Sequence, residues 1–310
     1  MITNRCSVVM SSDNRYAPHL AVVIYSTLKN CHNPRKLDFT ILDGGISKAQ
    51  HEQIKTIINE YGSSIRFVSN MRKIYSDFDV KANRMSTAAY YRISIPEILS
   101  NDINKAVYLD CDLVIESDIL LLNETDLRAN EALAAVEDIS KTKAYKTLGI
   151  PPNSYFNSGV MLINLAYWRK HHTAEKVRTF KIQNANKLST HDQCALNGVL
   201  WDKWKRIPPH WNQQSGIYRK RLRRAGVINY SKTEMQTALE TPSVIHYVGE
   251  RKPWNLGCPH PLRHRYENYR SAIDTNFIPP TNLQHLKQSI KNKQLRHYII
   301  GFLNRKKYEK

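Results

Sequence analysis

Cysteine is scarce in this sequence and shows no pairing pattern. Five occur in 310 residues (Cys6, Cys31, Cys111, Cys194 and Cys258), an odd number with no Cys-x-x-Cys spacing. That argues against a disulfide framework or a zinc ribbon and suits a reducing compartment. Long apolar runs are missing as well. No stretch reaches the 18 or so consecutive apolar residues of a membrane-spanning helix. The opening segment, MITNRCSVVMSSDN, lacks the apolar core of a secretory signal. No internal repeat or low-complexity tract is evident. No recognised nucleic-acid motif is present, and aromatics do not interleave with the basic runs, which speaks against a DNA- or RNA-binding protein. Together these absences point to a cytoplasmic chain, held to the inner face of a membrane only peripherally.

What is present is the composition of a folded protein, 41% hydrophobic and 24% charged, in a chain long enough for one large or two ordinary domains. The net charge of +19 calls for an anionic partner, and charge alone leaves nucleic acid, phosphorylated substrates and acidic lipid all open. Its distribution is uneven. Five basic residues fall between Arg219 and Arg224, and the last thirty residues hold eight Lys or Arg against one acid. The pair Pro279-Pro280 marks a boundary, dividing a catalytic unit over 1–280 from a basic tail over 281–310.

Along the first half, strand-like and helix-like segments alternate. CSVVMSS (6–12), SIRFVSN (64–70) and KAVYL (105–109) read as strands, and LDFTILDGG (37–45) reads as a strand then a turn. Residues 17–31 and 47–62 read as amphipathic helices, the second with a Ser cap and a Gly stop, and 86–99 reads as a third helix. This alternation builds an open, mostly parallel sheet with helices on both faces, whose ligands bind beyond the strand carboxyl ends. Ser11-Ser12-Asp13-Asn14 and Asp110-Cys111-Asp112 both fall at that edge. THDQCALNGVLW (190–201) reads as a later helix, and Asn157-Ser158-Gly159 reads either as a bend before a buried strand or as part of a site.

Asp110 and Asp112 interrupt an apolar run. In extended backbone, residues two apart face the same side, so the two carboxylates project together and Cys111 projects away. Two neighbouring carboxylates repel unless a proton or a cation joins them, and a hard divalent ion suits such an oxygen pair. Asp-x-Asp alone is a weak pattern. About 0.6 matches arise by chance from 14 Asp, and a second match, Asp77-Phe78-Asp79, is present in a loop-like context.

The ordered set SSDNRYAPHLAVVIYSTL, a strand ending in Asp-x-Asp, FNSGVMLINLAYW, HDQCALN and IHYVGERKPW resembles glycosyltransferase family eight over residues 5–260. Within that family it is most similar to bacterial enzymes that add galactose or glucose to lipopolysaccharide or lipooligosaccharide. The resemblance implies an α/β fold of GT-A type, a Rossmann-like mixed sheet flanked by helices, here with a basic C-terminal helical extension. It implies a retaining transfer from UDP-galactose or UDP-glucose. Asp110, Asp112 and His246 would hold Mn²⁺ (or Mg²⁺) against the diphosphate, with Gly249 and Lys252 on the phosphates. Ser11, Ser12, Asp13 and Tyr16 would hold the uridine, with Cys111 in the same nucleotide-binding set. Arg92, Asn157, Asp192 and Gln193 would surround the donor sugar, and Asp138 would lie near the acceptor.

The chemistry of these residue types agrees. A cation and Lys252 stabilise a departing diphosphate. Gly249 suits backbone that approaches phosphate closely. The family's catalytic position carries an amide, Gln193, which favours same-face attack over a covalent intermediate, with Asp192 orienting sugar hydroxyls. Two departures stand out. Cys194 replaces a carboxylate found in many relatives, leaving donor choice open, and Arg15 replaces a common Asn before Tyr16. From Leu283 onward apolar residues recur among lysines and arginines, which reads as a helix lying on an anionic membrane, suited to a glycolipid acceptor. Competing readings are a metal-dependent sugar-nucleotide phosphohydrolase or nucleotidyltransferase, and a basic nucleic-acid binder.

Overall fold

A computed structural model describes residues 5–273 apart from 70, 77, 79–85, 140–143, 186–187, 189–190, 219–228 and 256. The second Asp-x-Asp match, the basic run 219–224, the boundary at 279–280 and the tail over 281–310 therefore lie outside the described residues.

Strands β1 (Cys6–Ser12), β2 (Leu37–Asp43), β3 (Ser64–Val68) and β4 (Lys105–Leu109) form the parallel half of a seven-stranded sheet. The bounds of β1 and β4 match the sequence reading residue for residue, and β2 ends just before the expected Gly44-Gly45 turn. Helix α1 (Ala17–Lys29) follows β1, and α2 (Lys48–Glu60) follows β2. The Ser47 hydroxyl accepts the Gln50 N–H at the start of α2, and Gly62, at φ +69°, turns the chain at its end, the cap and stop that the sequence signals.

Three short strands form a separate small sheet. β5 (Leu113–Ile115) pairs with β10 (Val244–His246), which also pairs with β9 (Gln213–Gln214). The large sheet continues through β6 (Leu133–Glu137), β7 (Phe156–Asn164) and β8 (Trp204–Arg206) in the order β3-β2-β1-β4-β7-β6-β8. β7 runs antiparallel to both β4 and β6, while β6 and β8 pair in parallel, so the sheet is mixed and, as expected, mostly parallel. This reversal brings the start of β7 to the same edge as the ends of β1, β4 and β6.

The central strands are buried on both faces, which is why their sequences are apolar runs rather than alternations. Val8, Met10, Val107, Leu109, Val160 and Leu162 pack with α1 and α2 on one side. Val9, Ala106, Tyr108, Met161 and Ile163 pack on the other, against the helices Thr173–Gln183 and His191–Leu200. Polar residues of α1 fix the small sheet: the Ile115 N–H donates to Ser26 Oγ at 3.1 Å, and Asn30 Nδ2 donates to the Ile115 carbonyl at 2.9 Å. Among the described residues no helix is long and apolar enough to cross a membrane.

Three sequence expectations are corrected. Residues 86–99 are not one α-helix but a 3₁₀ helix over Thr87–Ser94 followed by a single α turn over Ile95–Ile98. Pro96 has no N–H to give the Arg92 carbonyl and its ring presses on that group, so a continuous α-helix cannot form. β4 does not run through the carboxylate pair. Its ladder ends with the Asp110 N–H on the Gly159 carbonyl at 2.9 Å, and the chain bends at Cys111 and Asp112 before β5 starts in the other sheet. Asn157-Ser158-Gly159 is no bend but lies inside β7.

Candidate active site

The seam between the two sheets collects the candidate residues. Pairing of β10 with β5 sets His246 opposite Leu113, one residue beyond Asp112, and the Tyr247 N–H donates to the Asp112 carbonyl at 3.0 Å. Ligand atoms of Asp110, Asp112 and His246 then lie within 4.8 Å of one another. The convergence comes from the bend and the inter-sheet pairing, not from two side chains of one straight strand. Cys111 does project away, its Sγ donating to the Ser11 carbonyl at 3.2 Å. Burial, helped by the Asp110 charge, raises the Cys111 thiol far above its ordinary value, so it stays a thiol.

Each carboxylate is held through one oxygen. Asp110 Oδ1 accepts from Arg92 Nη2 at 2.7 Å and from the Tyr108 hydroxyl at 3.1 Å. The Tyr108 proton being spent there, Ser11 Oγ is the donor to the Tyr108 oxygen at 2.9 Å. Asp112 Oδ2 accepts from Lys252 Nζ, and Asp112 Oδ1 sits 3.3 Å from His246 Nε2. Burial alone would push the Asp112 carboxyl up, but Lys252 and His246 beside it outweigh burial and hold it well below the usual carboxylate range. Asp110 Oδ2, Asp112 Oδ1 and His246 Nε2 remain as a donor set of two oxygens and one nitrogen. That set fits a small divalent cation of the Mn²⁺ or Mg²⁺ kind, with the rest of the shell left to water and phosphate.

Gly159 closes the floor of this site. A Cβ on it would meet His246 Cε1 at 2.3 Å and Asp110 Oδ2 at 2.8 Å. Only glycine leaves room for both ligands.

A second acidic group adjoins the first through Arg92. Its Nε lies 3.2 Å from Asp192 Oδ2 and 2.9 Å from the Ala89 carbonyl, and its Nη1 donates to the Ser158 carbonyl and hydroxyl at 2.8 and 3.1 Å. The guanidinium also lies over the Tyr108 ring, 4.3 Å from its centroid. Arg92 is thus 4% exposed and spends its donors largely on the protein, joining Asp110 to Asp192. Gln193 accepts the Ser158 N–H on Oε1 at 3.1 Å and donates from Nε2 to Asp138 Oδ2 at 2.7 Å. The backbone donor fixes which end of the amide faces Asp138.

The remaining predicted residues are placed as follows. Ser12 Oγ donates to the Asp13 carbonyl at 3.0 Å. The Asp13 carboxylate caps the turn into α1, accepting from the Arg15 and Tyr16 N–H groups at 3.0 and 3.1 Å, while its Oδ2 pairs with the Arg15 side chain. Tyr16 meets Trp254 edge-on, centroids 5.8 Å apart, and Trp254 stacks on His19 at 3.5 Å. These contacts dock Trp254, two residues after Lys252, on the start of α1. Gly249 has φ +101° and open space where a Cβ would be, so backbone conformation, not crowding, calls for glycine there. Asn157 Oδ1 accepts from the Gly159 N–H and from Asn212 Nδ2. Cys194 turns from the site into a small apolar cluster with Ala144 and Ile150, its Sγ 3.2 Å from the Tyr155 hydroxyl.

Sequence reasoning missed Gly159 and Asn212. Gly159 stood in a segment already singled out. Asn212 sits in PPHWNQQ, between two prolines and the short β9, where no periodicity flags it.

The sequence pattern of Glycosyl transferase family 8 matches residues 7–257. General stress protein A of Bacillus subtilis (strain 168) is 34% identical over 87% of this chain and 95% of its own. The lipopolysaccharide 1,2-glucosyltransferase of Escherichia coli (strain K12) is 28% identical over 73% of this chain and 69% of its own. Among solved structures, the galactosyltransferase LgtC in complex with donor and acceptor sugar analogues superposes with a TM-score of 0.76, at 25% identity, over 87% of this chain and 96% of that one.

Proposed function

The chain belongs to glycosyl transferase family 8, and on that premise we propose that it moves galactose or glucose from a UDP-sugar to a glycolipid or oligosaccharide acceptor, with retention of configuration. The observation that carries the metal-dependent part is the convergence of Asp110, Asp112 and His246 at the seam of the two sheets. The names of the lipopolysaccharide glucosyltransferase and of LgtC support a hexose donor and a saccharide acceptor.

A divalent cation held by these three residues supplies charge to stabilise the leaving diphosphate. The protein's own groups do the rest. Lys252, now on Asp112, lies on a loop whose Gly249 tolerates unusual backbone and whose Trp254 docks on α1; it can turn its ammonium to a phosphate oxygen. Arg92 holds Asp110 and Asp192 apart and oriented, leaving Asp192 to meet sugar hydroxyls. Gln193 presents a neutral amide, pinned between Ser158 and Asp138, which suits same-face attack guided by the leaving group. The basic segment 281–310 supports attachment to anionic lipid, where a glycolipid acceptor resides.

The test is UDP release from UDP-galactose and UDP-glucose, with and without Mn²⁺. One donor should give Mn²⁺-dependent release that the Asp110→Ala, Asp112→Ala double variant loses. Undiminished release by that variant would remove the metal assignment, and products without a glycosidic bond for any saccharide acceptor would favour a phosphohydrolase.

A further inference from the structure

We propose that Asn212 is a positioning residue that locks His246 into the single tautomer able to bind a cation. The deduction starts from a group that cannot be turned round. The backbone N–H of Gly159 donates to the Asn157 side chain at 3.0 Å, so that atom of Asn157 is its oxygen, Oδ1. The same oxygen lies 2.9 Å from the Asn212 amide, which must therefore present its NH₂ there. Asn212 then has only its oxygen left for His246, and Oδ1 lies 2.8 Å from His246 Nδ1. An oxygen acceptor at that distance requires the proton on Nδ1. In the neutral ring His246 Nε2 is then left with its lone pair, 3.3 Å from Asp112 Oδ1.

An imidazole left to itself can carry its proton on either nitrogen, and a ring protonated on Nε2 has no lone pair for an ion there. Partners that orient a ligating imidazole through its other nitrogen typically govern metal affinity by about 10–100-fold. Asn212 is built for that service. It is fully buried, it ends the turn Pro209–Asn212, and that turn is tied to the strand bearing His246 by the Ser243 N–H on the His210 carbonyl at 2.9 Å. The relay thus runs from a fixed backbone group of β7, through two asparagines, to one nitrogen of a histidine in the other sheet.

This inference rests on the cation site proposed above, and its test separates the two. Long-range ¹H–¹⁵N correlation spectra of the full-length protein, free of divalent metal and at about pH 8 where an ordinary imidazole carries no charge, report the His246 tautomer directly. The expected result is a proton on Nδ1; a proton on Nε2 overturns the lock, whatever any variant does. Asn212→Leu should show mixed tautomers and bind Mn²⁺ about 10–100-fold more weakly by titration calorimetry. Wild-type affinity in a leucine variant of altered tautomer, or weakened affinity with the tautomer unchanged, each overturns the positioning role. Wild-type protein that shows the Nδ1 proton but binds no Mn²⁺ would sink the cation site and with it this role, while leaving the hydrogen-bond relay standing.

Discussion

Gly159→Ala puts a single methyl group where the cation site has no room, and its consequence can be worked from distances. The added Cβ would sit 2.3 Å from His246 Cε1 and 2.8 Å from Asp110 Oδ2, against about 3.5–4.0 Å for relaxed carbon contacts. The imidazole would have to withdraw by more than about 1 Å, yet Asn212 holds its Nδ1 at 2.8 Å and both flanking strands are buried. Overpacking of this kind costs about 1–3 kcal/mol, which at about 2.1 cal/mol/K per residue lowers the melting temperature by roughly 1.5–5 °C in a chain of this size. Metal–ligand distances tolerate only about ±0.2 Å, so the loss of Mn²⁺ binding should be far larger than the loss of stability. Gly149→Ala is the control: it has φ +67° and nothing within 4 Å of an added Cβ. It should lose about 1–2 kcal/mol through backbone strain and bind Mn²⁺ as the wild type does. Calorimetric titration with Mn²⁺ beside thermal melts reads both quantities. Wild-type Mn²⁺ affinity in folded Gly159→Ala would refute the site as drawn.

Lys252→Met removes the ammonium that faces Asp112 and should lower metal-free stability by up to about 3 kcal/mol. Mn²⁺ should then raise the melting temperature of this variant more than that of the wild type; equal shifts would show that the lysine and the ion do not compete for one carboxylate. His19, stacked on Trp254 and bonded to the Tyr266 hydroxyl at 2.7 Å, has its pKa lowered to about 3 by burial. The unfolded chain therefore binds the extra proton first, so this contribution is complete above about pH 6.5 and is lost as pH falls toward the folded value. In pH-dependent melts His19→Phe should flatten that decline by an amount on the order of 1–3 kcal/mol, and an unchanged slope would count against a neutral, docked His19. Deleting residues 281–310 should release the protein from anionic vesicles while slow hydrolysis of UDP-sugar continues, as sedimentation and UDP assays would show. Equal sedimentation of the truncated chain would dismiss the tail as a membrane anchor.

The elements that the sequence discloses are those whose cause is local. β1, β2 and β4 are apolar runs closed by polar residues, and α2 carries its own cap and stop, so their bounds could be read directly. The direction of β7 could not, because a strand buried on both faces has the same apolar run whichever way it points. The 3₁₀ segment over Thr87–Ser94 was hidden because its helical spacing is genuine and only Pro96 forbids the α form. Within the site, Asp110 and Asp112 were legible as a pair, whereas the bend that makes them converge with His246 depends on a strand 130 residues away. Asp13 was legible as an acid at the ligand edge, but its part in the local turn was not: one oxygen accepts the Arg15 and Tyr16 N–H groups and the other pairs with the Arg15 side chain. Asn212 was invisible because its meaning lies in two partners, Asn157 and His246, that are distant in sequence.

The net charge also divides once the site is in view. Around the seam, positive and negative groups meet one another: Arg92 lies between Asp110 and Asp192, and Lys252 faces Asp112. These pairs leave little excess to account for +19. The basic run at 219–224 and the last thirty residues together hold thirteen Lys or Arg against one acid, well over half of that net charge. The paired groups at the seam therefore do not account for the overall charge. In the function proposed above it would serve a separate encounter with an anionic surface. The function proposed above, with a water-borne nucleotide sugar and an acceptor anchored in lipid, would call for that division, because the two substrates would arrive from different phases.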